Sequence, residues 1–271
     1  MILLAHLIGK ILREQRFTLS LCCLFLGLFF TVGTYLYTTF GQLTMEAMSR
    51  FSPEMLQGLF GGLLGGIDPL ETWLVTLFVH PLVLTLFSVV AVAVTTRSLA
   101  AEIDRGTIDL LLSCPLPRRH LVLATTLVTL LAHLVMTGVV WLALHLGMEL
   151  GSIEPPASLA AFRWVALNLF ALFSAVGGVS LLVSAASSDR GRAIGGALGF
   201  IVVSFFINLV ASLWQKVAWL DVVSVFHYHQ PQPVIAGSGE LAGHLLVLFG
   251  LYAVCLAAAL MVFQRRDIAT V

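Results

Sequence analysis

Leu121-Val122-Leu123-Ala124-Thr125-Thr126-Leu127-Val128-Thr129-Leu130-Leu131 holds no charged residue and no alternation of apolar with polar positions. It lies inside His120–Met148, a run of 29 residues without Asp, Glu, Lys or Arg. About 20 apolar residues in a helix cross the ~30 Å hydrocarbon core of a bilayer, so this run is long enough to span it with some tilt. A single span in lipid must satisfy its own backbone hydrogen bonds, which a helix does. The other solution, a closed β-barrel, requires alternating strands, and this stretch does not alternate.

Five further uncharged runs repeat the pattern: Phe17–Phe40, Trp73–Thr96, Trp164–Ser188, Ala193–Gln215 and Leu241–Gln264. The chain of 271 residues is 59% hydrophobic and only 10% charged. Soluble domains carry about 25% charged residues, so this chain lacks the polar groups to cover a water-facing surface. The reading is an all-α membrane protein with six transmembrane helices, forming a single membrane domain over residues 1–271. Lys10, Arg13 and Arg16 precede the first run, but its 24 residues exceed a signal-peptide core of about 7–15, so it reads as a retained helix.

Eleven of the fourteen basic residues fall in the segments that share a side with the two termini, and Arg50, Arg163 and Lys216 fall on the other. The positive-inside rule therefore places both termini in the cytoplasm. Cys22, Cys23 and Cys255 lie in the spans and Cys114 on the cytoplasmic side, so no disulfide framework is expected.

Two amphipathic segments flank the first span. Leu4, Leu7, Ile8 and Ile11 form one apolar stripe at helical spacing, with Lys10, Arg13 and Glu14 off it, as in an interfacial helix on the cytoplasmic leaflet. On the outer side, Ser52-Pro53-Glu54 has the chemistry of a helix start. Met55, Leu56, Leu59, Phe60, Leu63 and Leu64 then recur with helical period up to Gly65-Gly66. This segment reads as a short surface helix or as a loop that plugs the bundle. Gly191, Gly195 and Gly199 open the fifth span at four-residue spacing, which lets another helix backbone approach closely, within the subunit or across a dimer.

The cytoplasmic link between the second and third spans carries the most information. The second helix continues through Glu102 and stops at Gly106, a residue suited to the C′ position. Thr107 can cap a new short helix with Asp109 in its first turn, and Pro115 and Pro117 end it before Arg118 and Arg119. That helix would present Leu110, Leu111 and Leu112 outside the bilayer, as a docking surface or as a dip into the lipid interface.

Glu102-x-x-x-Gly106-Thr107, the leucines 110–112, Pro115 and Arg118 together resemble the type 2 ABC permease family. The closing Phe263-Gln264-Arg265-Arg266-Asp267-Ile268 and the stretch Phe226-His227-Tyr228-His229-Gln230-Pro231 before the last span resemble that family too. The resemblance implies that the link is a coupling helix seated in a groove of a separate cytoplasmic ABC ATPase. It implies a membrane subunit of an exporter, paired with a second permease copy as homodimer or heterodimer, in a bacterial or archaeal plasma membrane. Thr125 stands where many members carry a lysine, so no contact from such a lysine is carried over.

The remaining chemistry is sparse. Lys10 and Lys216 are the only lysines and neither follows a phosphate-binding loop, so energy for uphill transport must come from a partner. Neither His-Glu-x-x-His nor a serine–base arrangement of an intramembrane protease occurs. His80, His145, His227, His229 and His244 gather on the outer side without metal-ligand spacing, so no metal or cofactor is expected. No nucleic-acid partner is expected either. Within the bilayer the polar side chains are His133, Asn168 and Asn208 with Ser174 and Ser180, and no span holds a charge. The alternative, an ion-coupled transporter or channel without an ATPase, would have to run on His133 alone.

The second cytoplasmic link, Ser187-Ser188-Asp189-Arg190-Gly191-Arg192, is too short for a helix of its own and reads as positive-inside anchoring or as a minor ATPase contact.

Overall fold

The computed structural model describes residues 2–41, 69–107, 117–156, 158–237 and 239–266. Helix α1 runs Ile2–Leu36 and passes into a π-helical turn, Tyr37–Gly41. The second span is a train of three helices, α2 Pro69–Val79, α3 Pro81–Ser98 and the short α4 Ala100–Asp104. Helices α5 Arg118–Leu150, α6 Leu159–Ala186 and α7 Arg190–Leu213 follow. Two 3₁₀ segments, Gln215–Val223 and Val225–Tyr228, and a short α8 Pro231–Ile235 then lead to α9 Leu241–Arg265. Among the described residues six helical stretches are long and apolar enough to cross a membrane, as the six uncharged runs require. The amphipathic outer segment 52–66 and the leucine-bearing helix after Thr107 lie outside the described residues.

Helix α1 differs from expectation in being continuous. Residues 2–14 form its first turns rather than a separate interfacial helix, because nothing between Glu14 and Phe17 interrupts the backbone hydrogen bonding. At 1.5 Å per residue its 35 residues extend ~52 Å, so its basic end must project from the bilayer. The apolar stripe is turned toward protein: Leu7 and Ile11 are buried, and Leu4 and Ile8 pack against the core.

The second span is broken where the uncharged run hid a proline. Pro81 has no N–H and cannot continue the ladder. The next donor, the Leu82 N–H, is taken by His80 Nδ1 at 3.2 Å, so His80 ends α2 and caps α3. Trp73 Nε1–H donates to the Gly33 carbonyl at 2.9 Å and ties α2 to α1.

Helix α6 is the centre of the bundle, touching α3, α5, α7, α8 and α9. Apart from Arg163 and Asn168 toward its outer end it is apolar or small around its circumference, which is the pattern of a helix surrounded by others. Its extensive contact with α9 and that of α1 with α5 are the two main helix pairings. Helix α7 is peripheral; it buries only Ala193, Ala197, Ser204 and Ala211, one narrow line of small side chains.

On the outer side the chain between α7 and α9 is held by short neutral groups. Ser224 Oγ donates to the Ser204 carbonyl at 2.8 Å, and the Val225 N–H donates to Ser204 Oγ at 3.0 Å. Asn168 Nδ2 donates to the Tyr228 carbonyl at 2.9 Å, and its Oδ1 lies 2.7 Å from His229 Nδ1.

Candidate functional site

The site grows from the basic end of the bundle, where the second span leaves the membrane and the third begins. Helix α3 ends at Ser98, Leu99 turns the chain, and α4 carries Glu102. The Arg105 N–H donates to the Ala101 carbonyl at 3.2 Å and the Gly106 N–H to the Ile103 carbonyl at 3.0 Å. Gly106 has φ +69°, the left-handed conformation expected of a C′ glycine. The stop lies at Gly106 as the sequence reading placed it, but the second helix does not run unbroken to it: it ends at Ser98, and a separate short helix carries Glu102.

Glu102 is buried with its side chain 10% exposed. Lys10 Nζ lies 2.7 Å from Glu102 Oε1, and Thr107 Oγ1 donates to Glu102 Oε2 at 2.5 Å. Both oxygens of the buried carboxylate are therefore engaged, one by Lys10 and one by Thr107. Lys10 also approaches Glu14 at 3.7 Å, and Glu14 approaches Arg97 at 3.8 Å, joining α1 to the end of α3. Because Lys10 and Glu14 remain partly exposed, these outer pairs contribute little, and Lys10–Glu102 is the organising contact.

Thus Glu102, Gly106 and Thr107 come together, Thr107 with its hydroxyl turned back onto Glu102. Leu110, Leu111, Leu112 and Pro115 lie outside the described residues. Arg118, at the far end of the link, donates from Nη1 to the Arg266 carbonyl at 2.6 Å. Thr125 is buried, with its hydroxyl donating to the Leu121 carbonyl at 2.9 Å, so this position offers no long basic side chain to a partner.

Residue reading did not pair Lys10 or Arg266. Arg266 Nη1 donates to the Ala185 carbonyl at 3.0 Å and the Ser187 carbonyl at 2.8 Å, and Nη2 reaches Ser188 Oγ. The second cytoplasmic link is thereby bound to the C-terminal end of α9, while Asp189 Oδ1 caps α7 by accepting from the Arg192 N–H at 2.7 Å. The signal for Arg266 was present in the closing Arg265-Arg266 motif, whose partner could not be read. For Lys10 it was only that lysine is rare in the chain.

The other candidates separate. Among the described residues a Cβ placed on Gly195 or Gly199 would meet nothing within 4 Å, and at Gly191 it would meet Asp189 Oδ1 at 3.1 Å. The close approaches are elsewhere, at Gly147 against Thr31 and Thr34 of α1 and at Gly178 against Tyr252 of α9. The outer histidines take different partners: His227 Nδ1 lies 2.6 Å from Asp221 Oδ2, whereas His229 is buried against Asn168. Among the described residues no three His, Cys, Asp or Glu side chains converge as metal ligands would. His133 is fully buried, its ring 5.9 Å from that of Phe87 and 6.1 Å from that of Phe173.

The chain matches the family described as ABC-2 family transporter protein over residues 2–268. Compared with curated proteins, it matches none. The match spans nearly the whole chain and does not favour the ion-coupled alternative. Members of that family are membrane subunits, generally not catalytic themselves, and they work with an ABC ATPase. With six membrane-length helices and the Glu102–Gly106–Thr107 turn at its basic end, this multi-pass chain belongs to the ABC-2 transporter family, as a permease subunit.

Proposed function

We propose that the chain is the membrane half of an exporter in a bacterial or archaeal plasma membrane, coupled to its ATPase through the link that carries Glu102, Gly106, Thr107, Leu110, Leu111, Leu112, Pro115 and Arg118. The observation that carries this reading is the anchoring of the root of the link. A buried carboxylate takes Lys10 from α1 and Thr107 from the link itself, so a force on the link is delivered to two spans at once. Residues 1–271 act as one permease domain without a nucleotide site of their own. Six helices make half of the usual exporter membrane domain, and a second permease copy, the same chain or a related one, completes it about a two-fold axis. The face at Gly195 and Gly199 supports a partner there, since none of the described residues packs against it.

The test is capture of the ATPase from membranes by a tagged permease. Leu111→Asp places an unpaired charge in an apolar groove at a cost of several kcal/mol and is expected to release the ATPase. Glu102→Ala is expected to weaken capture less, because it loosens the root and leaves the leucines in place. Capture by Leu111→Asp at the wild-type yield rejects the docking surface.

A further inference from the structure

We infer that Arg266 is a positioning residue for coupling: it closes a circuit of hydrogen bonds that makes the two roots of the cytoplasmic link move as one piece. The inference rests on the coupling reading above, but concerns a residue outside the link. From the first root, the Ala100 N–H donates to Ser184 Oγ at 3.2 Å, and Ser184 Oγ donates to the Thr95 carbonyl at 2.9 Å. Thr95 and Ser180 hydroxyls meet at 2.7 Å one turn further in. The end of α6 is therefore fixed to the junction of α3 and α4. From the same end of α6, the Ala185 and Ser187 carbonyls and the Ser188 hydroxyl accept the Arg266 guanidinium. The Arg266 carbonyl in turn accepts Arg118 Nη1, at the second root. Link root, α6, α9 and the opposite link root are joined in a closed path.

The chemistry at the centre of this path requires arginine. The last carbonyls of a helix have no intrahelical donor, and a cation there also opposes the negative end of the helix dipole. A guanidinium presents several donors in a rigid fork and can meet separate acceptors at once, which a single ammonium on a flexible stem does not hold in place. Anchoring to lipid headgroups by the positive-inside rule would leave this side chain facing out. Its neighbour Arg265 is exposed, whereas Arg266 is half-buried against three protein acceptors.

The experiment measures motion, which separates positioning from simple stabilisation. Spin labels are placed at Ala186 and Gln264, both exposed, in a chain whose 4 native cysteines are replaced. The permease–ATPase complex is reconstituted in nanodiscs, and the label separation is read without nucleotide and with a non-hydrolysable ATP analogue. The expected result is one narrow distance, the same in both states, for the chain with Arg266. Arg266→Ala is expected to broaden it and to make it shift on nucleotide binding. Arg266→Lys, with the charge but not the fork, is expected to behave like Arg266→Ala. A distance that shifts with nucleotide while Arg266 is present, or one that stays narrow in Arg266→Ala, overturns the inference. Should the Arg266 variants fail to assemble, Arg118→Ala with labels at Arg119 and Gln264 reads the other half of the path, and an unchanged distance there overturns it equally. Loss of the ATPase from the unaltered permease during purification would count against the coupling reading and not against the circuit.

Discussion

Gly147 on α5 and Gly195 on α7 are both glycines on long apolar helices, yet their surroundings are opposite. A Cβ at Gly147 would stand 2.7 Å from the Thr31 carbonyl oxygen and 2.6 Å from Thr34 Cβ, so α1 and α5 approach backbone to backbone there. Among the described residues a Cβ at Gly195 would meet nothing within 4 Å, and the same holds one turn on at Gly199. In lipid, helices associate through close packing because the acyl chains are as apolar as the side chains. A small residue on a membrane helix is explained only when something approaches it. Gly147 is explained inside the subunit, whereas no described residue approaches the Gly195 face.

Three substitutions would break or sharpen this contrast. Gly147→Leu carries the largest expected effect, because the clash includes backbone that cannot turn aside. Overpacking of this kind costs about 3 kcal/mol, and the check is the melting temperature and folded yield of the purified subunit. Asn168→Ala comes next. Asn168 is 1% exposed, and its loss leaves the Tyr228 carbonyl and the His229 imidazole without their partner, at a cost of about 1–3 kcal/mol. Its effect should appear as faster proteolysis or hydrogen exchange in the segment between α7 and α9, with ATPase capture unchanged. Gly195→Leu is expected to change subunit stability by less than about 1 kcal/mol in either direction, since leucine is the better helix former. Its effect should instead appear in cross-linking between permease copies in native membranes. A Gly195→Leu chain as unstable as Gly147→Leu would erase the distinction between the two faces.

The same pair shows what sequence can and cannot convey. Spacing by four residues at Gly191, Gly195 and Gly199 marks a face on which approach is possible, and says nothing of whether the face is occupied. Gly147 and Gly151 share that four-residue spacing, and a Cβ at Gly151 would also meet Thr38 at 3.1 Å, so the same pattern marks an occupied face there. The spans were legible because a missing charge is visible residue by residue, whereas the break at Pro81 sat inside an uncharged run and looked like part of one helix. At the site, the turn Glu102–Gly106–Thr107 could be read because its parts are neighbours in the chain. Lys10 stands 92 positions from Glu102, and Arg118 stands 148 from Arg266. Pairings at that distance depend on how α1, α6 and α9 pack, and no local pattern encodes them.

The central claim, that the link between the second and third spans is the seat of the ATPase, is tested most directly by a photoreactive residue at Leu111 in the intact chain. The residue is incorporated in cells, the membranes are irradiated, and the covalent adducts are identified by mass. The account predicts one dominant adduct, with an ABC ATPase subunit, that is lost when the same residue is placed at an outward position such as Trp219. An adduct at Leu111 with lipid alone, while the ATPase is present in the same membranes, would contradict it.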